Sequence, residues 1–185
     1  MESDAFNHDI EQKNPVEVAW ELLQPDSRET ARALSLILVA GMTWDSGIPQ
    51  PAYDHPEAHW AQFVSYCRAA CPGVFQSLQP YLAGCTVEED HSATRYALQL
   101  QYCVNNRHVF KTVTDQVGLG PKVLREGDLC CIVFGASMPI VIRPSEKTSG
   151  CYALVGVCYV NGCMRGEFVR KALEGNFKVE DITLV

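Results

Sequence analysis

The chain reads as an α+β protein, with an N-terminal helical spacer of four to five helices packed on a small antiparallel β-sheet or partly closed β-barrel. Three observations predict this. Up to about residue 106 apolar residues recur at helical spacing, as in Ala31, Leu34, Ile37 and Leu38. From residue 107 the pattern becomes short runs rich in Val, Ile, Phe, Cys and Tyr, punctuated by Gly118, Gly120, Pro121, Gly127, Gly135, Pro139 and Gly150, through which no helix can run. Charge shifts at the same place: residues 1–106 carry 14 acids against 5 bases, and residues 107–185 carry 8 against 10. The expected organisation is a flexible acidic tail at 1–13, a helical region at 14–106, and a β-rich unit with one short helix at 107–185.

Each element has a local reason. Asn14-Pro15-Val16-Glu17 offers an N-cap, a proline at the first helical position and an acid in the first turn, so a helix is expected to about Gln24. Pro25-Asp26-Ser27 breaks it, and Ser27 caps a second, largely buried helix. Thr43 to Tyr53, holding Gly47, Pro49 and Pro51, reads as a loop. A third helix starts at Asp54 or His55, turns Trp60, Phe63, Val64 and Cys67 inward, and ends at Cys71-Pro72-Gly73. In Val74 to Ala83, Pro80 imposes a kink or a break. Glu88-Glu89-Asp90 places acids at the positive end of a last helix, whose stripe from Ala93 to Val104 stops at Asn105-Asn106.

In the β-rich part, Gly118 and Gly120 are expected to make a backbone turn closed to other residues, with Pro121 stiffening its exit. Gly127-Asp128 is a second turn feeding a strand from Leu129 to Phe134, and Gly135-Ala136-Ser137 a reversal. Pro139 leads into Ile140-Val141-Ile142, and another strand runs from Ala153 to Val160. One or two helical turns from Phe168 to Leu173 and a final strand at Ile182 to Val185 complete the chain.

Composition bounds the function classes. The 185 residues are 47% hydrophobic and 20% charged, with a net charge of −7, as in ordinary globular proteins. The longest apolar run, Ala33 to Met42, falls far short of the roughly 20 residues a membrane-spanning helix needs. No basic patch suits nucleic acid or an anionic membrane. The first residues show no secretory pattern, so a soluble, cytoplasmic protein is expected. Its nine cysteines, an odd number set mostly among apolar neighbours, then read as reduced, buried small hydrophobes.

Several constellations bear on chemistry. His55 with His59, and Cys67 with Cys71, stand four apart as zinc ligands on a helix do, which opens a metal-stapled domain as one alternative. His59 and Cys67 lie roughly 12 Å apart along one helix, too far for one ion, so neither metal nor cofactor is expected. A second alternative is a small thiol-dependent enzyme using Cys151 or Cys163, with His108 in the same unit. The spacing matches no thiol-hydrolase motif, and the chain is read as non-enzymatic. The candidate binding residues are Arg143, Tyr159, Asn161 and Glu167, with a buried Arg143–Glu167 pair as the expected structural arrangement. A protein partner is expected.

The ordered set of Thr112, Gly118 to Pro121 (GLGP), Gly127-Asp128, Pro139 to Pro144 (PIVIRP) and Leu154 to Glu167 (LVGVCYVNGCMRGE) resembles the C-terminal region of fungal heterokaryon incompatibility proteins. Asn161 stands where that family more often shows His, and Arg165 where it more often shows Asp. The resemblance implies a place in self/non-self recognition and its cell-death response. The N-terminal domain of those proteins has no counterpart in these residues, so the expectation is a recognition or regulatory remnant, a truncated paralogue.

Overall fold

The computed structural model describes residues 13–45, 48–84, 91–175 and 179–185. The acidic tail up to residue 12 and the Glu88-Glu89-Asp90 cluster lie outside the described residues. The chain divides into two compact units, Met1–Cys103 and Val104–Val185.

The first unit is built on helices α1 (Pro15–Leu23), α2 (Arg28–Leu38), α3 (Pro56–Ala70), α4 (Pro72–Leu78) and α5 (His91–Val104). Their ends follow the local chemistry. The Asn14 side chain accepts the Val16 N–H at 2.9 Å, and Pro15 opens α1. Ser27 and Thr30 form a reciprocal capping box on α2. The α2 stripe of Ala31, Leu34, Ile37 and Leu38 is buried, as are Trp60, Phe63, Val64 and Cys67 on α3. Around Tyr96 of α5 the Phe63 and Tyr66 rings lie 5.3 Å and 5.4 Å away, centroid to centroid, so aromatic packing forms the centre of this core. After α4 the Pro80 break is a single 3₁₀ turn, Gln79–Tyr81.

One expected loop is ordered structure. Strands β1 (Met42–Asp45) and β2 (Ile48–Pro51) pair antiparallel, Met42 opposite Pro51 and Trp44 opposite Pro49. Prolines argued against a strand here, but a two-stranded ribbon has only edges, and an edge tolerates a missing N–H that would otherwise face outward.

The second unit holds two sheets. Strands β3 (Arg107–Lys111), β4 (Val117–Pro121) and β8 (Tyr159–Val160) form one, in the order β3-β4-β8. The other has the order β5-β6-β7-β9, from β5 (Leu129–Cys131), β6 (Ile140–Pro144), β7 (Cys151–Val157) and β9 (Thr183–Leu184). Helix α6 (Glu167–Leu173) lies between β8 and β9 in the chain.

These sheets correct the expectation of a single antiparallel sheet. Among the described residues neither sheet closes on itself, and β9 joins β7 in parallel. The strand expected from Ala153 to Val160 is interrupted at Cys158. Val157 pairs with Ile140 in one sheet, Tyr159 pairs with Leu119 in the other, and Cys158 between them donates its N–H to the Pro139 carbonyl at 2.9 Å. One continuous segment thus serves both sheets, as strands do at the corners of orthogonally packed sheets. One buried cluster of this unit is Val141, Cys158, Val160 and Cys163, with Phe110, Leu124, Val155 and Phe168 packed on it, and Leu119, Ile142 and Tyr159 are buried as well.

Gly118, Gly120 and Pro121 are not a turn but the body of β4, and neither glycine has positive φ. Glycine is required there for space. A Cβ on Gly118 would meet the Tyr159 carbonyl oxygen and, at 2.7 Å, the Phe110 ring, while one on Gly120 would come within 2.9 Å of Leu124.

Candidate functional site

The turn before β5 has a conformational reason: Gly127 has φ +89°, and Asp128 donates its N–H to the Arg125 carbonyl at 3.2 Å. That turn delivers the Asp128 carboxylate to Arg143 on β6. Arg143 Nε donates to Oδ1 at 2.6 Å and Nη2 to Oδ2 at 2.8 Å, a two-pronged guanidinium–carboxylate pair. Nη2 also donates to the Val123 carbonyl at 2.9 Å, and the Arg125 N–H donates to Asp128 Oδ2 at 3.0 Å. The Asp128 side chain is 2% exposed and that of Arg143 25%.

Electrostatics follow from this geometry. The hydrogen bond from Arg143 holds the Asp128 carboxyl below its ordinary range, burial opposes, and the Arg125 N–H assists. Arg143 is in turn held more firmly protonated by Asp128. The cluster ties the 122–128 connection to β6 and presents a guanidinium whose direction is set by its carboxylate.

The expected Arg143–Glu167 pair does not form. Glu167 begins α6 and accepts the Arg165 N–H at 2.7 Å. The physical reason is register: Leu129 lies opposite Ile142, so the next cross-strand position sets Asp128 against Arg143. Tyr159 is buried within β8, and Asn161 is half-buried with its N–H on the Val117 carbonyl at 3.1 Å. Of the candidate binding residues, Arg143 therefore stands with Asp128, while Tyr159, Asn161 and Glu167 belong to the β8–α6 segment. Across β5, β6 and β7 the register sets Leu129, Ile142 and Leu154 in one row, with Leu129 43% and Leu154 57% exposed.

The candidate thiols and imidazoles have structural surroundings. Burial pushes the Cys163 thiol up to about 11, so it stays protonated at neutral pH, and its Sγ lies 3.9 Å from the Asn161 carbonyl oxygen. Cys151 is half-buried at the start of β7. Cys67 and Cys71 are both buried, Cys71 pushed up to about 12. His55 precedes α3 and is exposed. His59 is buried and lowered to about 4 by loss of hydration, opposed by a hydrogen bond to the Ser35 backbone. Among the described residues, no group of three or more His, Cys, Asp or Glu is arranged to hold a metal ion.

Sequence reasoning missed a buried polar cluster in the helical unit. Ser35 Oγ lies 3.1 Å from His59 Nε2 and donates to the Arg32 carbonyl at 2.7 Å, and Tyr96 OH donates to the Ser35 carbonyl at 2.9 Å. Because the single hydroxyl proton goes to Arg32, Nε2–H is the donor to Ser35, the reverse of what activation of a serine nucleophile requires. Ser35 inside an otherwise apolar stripe was the signal that a polar partner would be needed.

Residues 79–179 match a protein family described as the Het-6 beta-barrel domain. The matched stretch takes in α5, β3 to β8 and α6. The curated heterokaryon incompatibility protein 6, OR allele, of Neurospora crassa is 32% identical over 82 residues, a likeness covering 41% of this chain and 12% of that protein. No solved structure matches. Among the described residues no helix is long and apolar enough to cross a membrane.

Proposed function

Because this chain belongs to the Het-6 beta-barrel domain family, we propose that it is a non-catalytic recognition or regulatory module of fungal heterokaryon incompatibility. The family match carries the reading, together with the likeness to a protein named for heterokaryon incompatibility. Its polar side chains support the non-catalytic part. Arg143 and Asp128 satisfy each other, Ser35 and His59 are buried in the wrong donor order for catalysis, and the Cys163 thiol is held protonated.

The partner in this proposal is a protein, met at the four-stranded sheet where the exposed Leu129 and Leu154 offer apolar surface on one face, while Arg143, a quarter exposed and next to Ile142 on β6, offers its charge on the other. The place of action is the cytoplasm that fused cells share, with programmed death of the fused cell as the outcome. Free thiols on the described cysteines agree with a reducing compartment.

The test is expression of the chain in one of two compatible fungal strains, followed by counting viable fused cells. Survival is expected to change in fused cells and not in unfused ones, and the change is expected to disappear with Leu129→Asp/Leu154→Asp. Unchanged survival after fusion overturns the role. Turnover of a hydrolase or transferase substrate that disappears in Cys151→Ser or Cys163→Ser overturns the non-catalytic part.

A further inference from the structure

Two thiols in the β unit approach each other with different surroundings. Cys130 lies on β5, the edge strand of its sheet, and is exposed; Cys158 is fully buried at the corner where the chain passes from one sheet to the other. Their sulfurs are 3.7 Å apart. Cys131, next along the strand, projects to the opposite face and does not compete for Cys158. We propose that Cys130 and Cys158 are a peroxide-sensitive dithiol, Cys130 attacking and Cys158 resolving, that closes to a disulfide stapling β5 to the β7–β8 corner.

The surroundings support the roles. Cys158 is fully buried, whereas Cys130 lies on the exposed edge strand, where a small hydroperoxide reaches it. The contact between the two thiols, in which either can donate, pushes Cys158 up and Cys130 down, with burial raising both.

The reaction balances with hydrogen peroxide as the oxidant. The Cys130 thiolate sulfur attacks one peroxide oxygen, the O–O bond breaks, and the departing hydroxide takes a proton to become water, leaving a sulfenic acid on Cys130. The Cys158 sulfur then attacks the Cys130 sulfur, the S–O bond breaks, and the leaving hydroxide takes the Cys158 proton as a second water. Two thiols lose two electrons in all, and one peroxide becomes two waters. The sulfurs must close from 3.7 Å to about 2.05 Å. A dithiol reductant reverses the reaction.

The test treats the reduced, folded full chain with one equivalent of hydrogen peroxide and maps its peptides without reduction. Expected is a Cys130–Cys158 linked peptide, lighter by two hydrogens and restored by dithiothreitol. Cys158→Ser is expected to accumulate a dimedone adduct on Cys130 that wild type lacks. In Cys130→Ser the remaining thiols are expected to oxidise at least about tenfold more slowly. A native link from Cys130 to Cys163 or Cys131, or a Cys130–Cys158 link that forms only in urea, overturns the proposal. The wild-type map alone decides between these outcomes, so a serine variant that fails to fold does not shield the proposal.

Discussion

The two units solve burial differently. In the helical unit Trp60, Phe63, Tyr96, Leu34 and Leu38 are buried to 1% exposure or less, and the exposed large apolar residues described there are scattered, as at Leu22 and Leu98. In the β unit a cluster of two cysteines and two valines is buried, as are Leu119, Ile142 and Tyr159, while Leu129, Phe134, Leu154, Val157 and Leu184 remain exposed. The helices offer long apolar stripes to one another, with α3 running 15 residues, whereas β5 has 3 residues and β8 has 2. Sheets that short leave several large apolar side chains exposed beside the buried ones. The lesson is that stability in this chain should be volume-sensitive in the helical unit and sensitive to backbone approach and side-chain pairing in the β unit.

That contrast can be broken by experiment. The largest effect is expected for Gly118→Val, which drives side-chain carbon into the Tyr159 carbonyl and the Phe110 ring, and soluble expression should be lost. Gly127→Ala, with open space around its Cβ and only its φ of +89° to strain, should cost about 1 kcal/mol by chemical denaturation. Equal losses in the two variants would sink the close-approach argument. Next is Phe63→Ala, expected to cost about 3–5 kcal/mol by urea unfolding. A loss below about 1 kcal/mol would mean that the helical core is loosely packed.

His59 supplies a pH signature for the helical unit. Its folded pKa, about 4, lies below the ordinary 6.5, so the unfolded chain takes up the proton first as pH falls. The stabilisation is complete above about 6.5 and is lost as pH falls toward 4, on the order of 3 kcal/mol in all. Urea midpoints between pH 7 and 4 should show that slope, and His59→Gln should flatten it. Asp128 acts in a lower window: its folded pKa is depressed, so its contribution is present above the ordinary carboxylate pKa and is lost as pH falls through the depressed folded value.

Smaller still is the ion-pair test. Asp128→Asn and Arg143→Lys should each lower the melting temperature by a few degrees, and the double mutant should fall short of the sum of the two losses. Arg143 and Glu167 should show no coupling in the same cycle, because Glu167 is occupied by the Arg165 N–H. The smallest effect is expected for Leu154→Thr, within about 0.5 kcal/mol for an exposed position on the sheet. A large loss there would show that the exposed row contributes to stability after all.

Much of this was legible in the residues. Caps, prolines and apolar periodicity act within one turn of helix, so α1, α2 and the inner face of α3 follow from neighbours in the chain. The Asp128–Arg143 pair was also within reach. A reversal centred at Gly135-Ala136 sets residue 128 opposite 143 by counting, whereas Glu167, expected beside Arg143 from the next strand, lies beyond β8 at the start of α6. The glycines of β4 were singled out for the wrong property: glycine is needed where φ is positive and also where another chain passes close, and sequence does not distinguish the two.

By itself, then, the amino-acid order determined the helical and β-rich halves, the ends of the early helices and the likeness to fungal incompatibility proteins, because these rest on local spacing and on motifs read along the chain. Only the tertiary structure decided that the β residues divide into two sheets, that the chain switches between them at Cys158, and that Cys130 meets Cys158. Each of these is a contact between strands distant in sequence, selected by register and by the closeness of backbones, and no local propensity encodes which strand a residue will face.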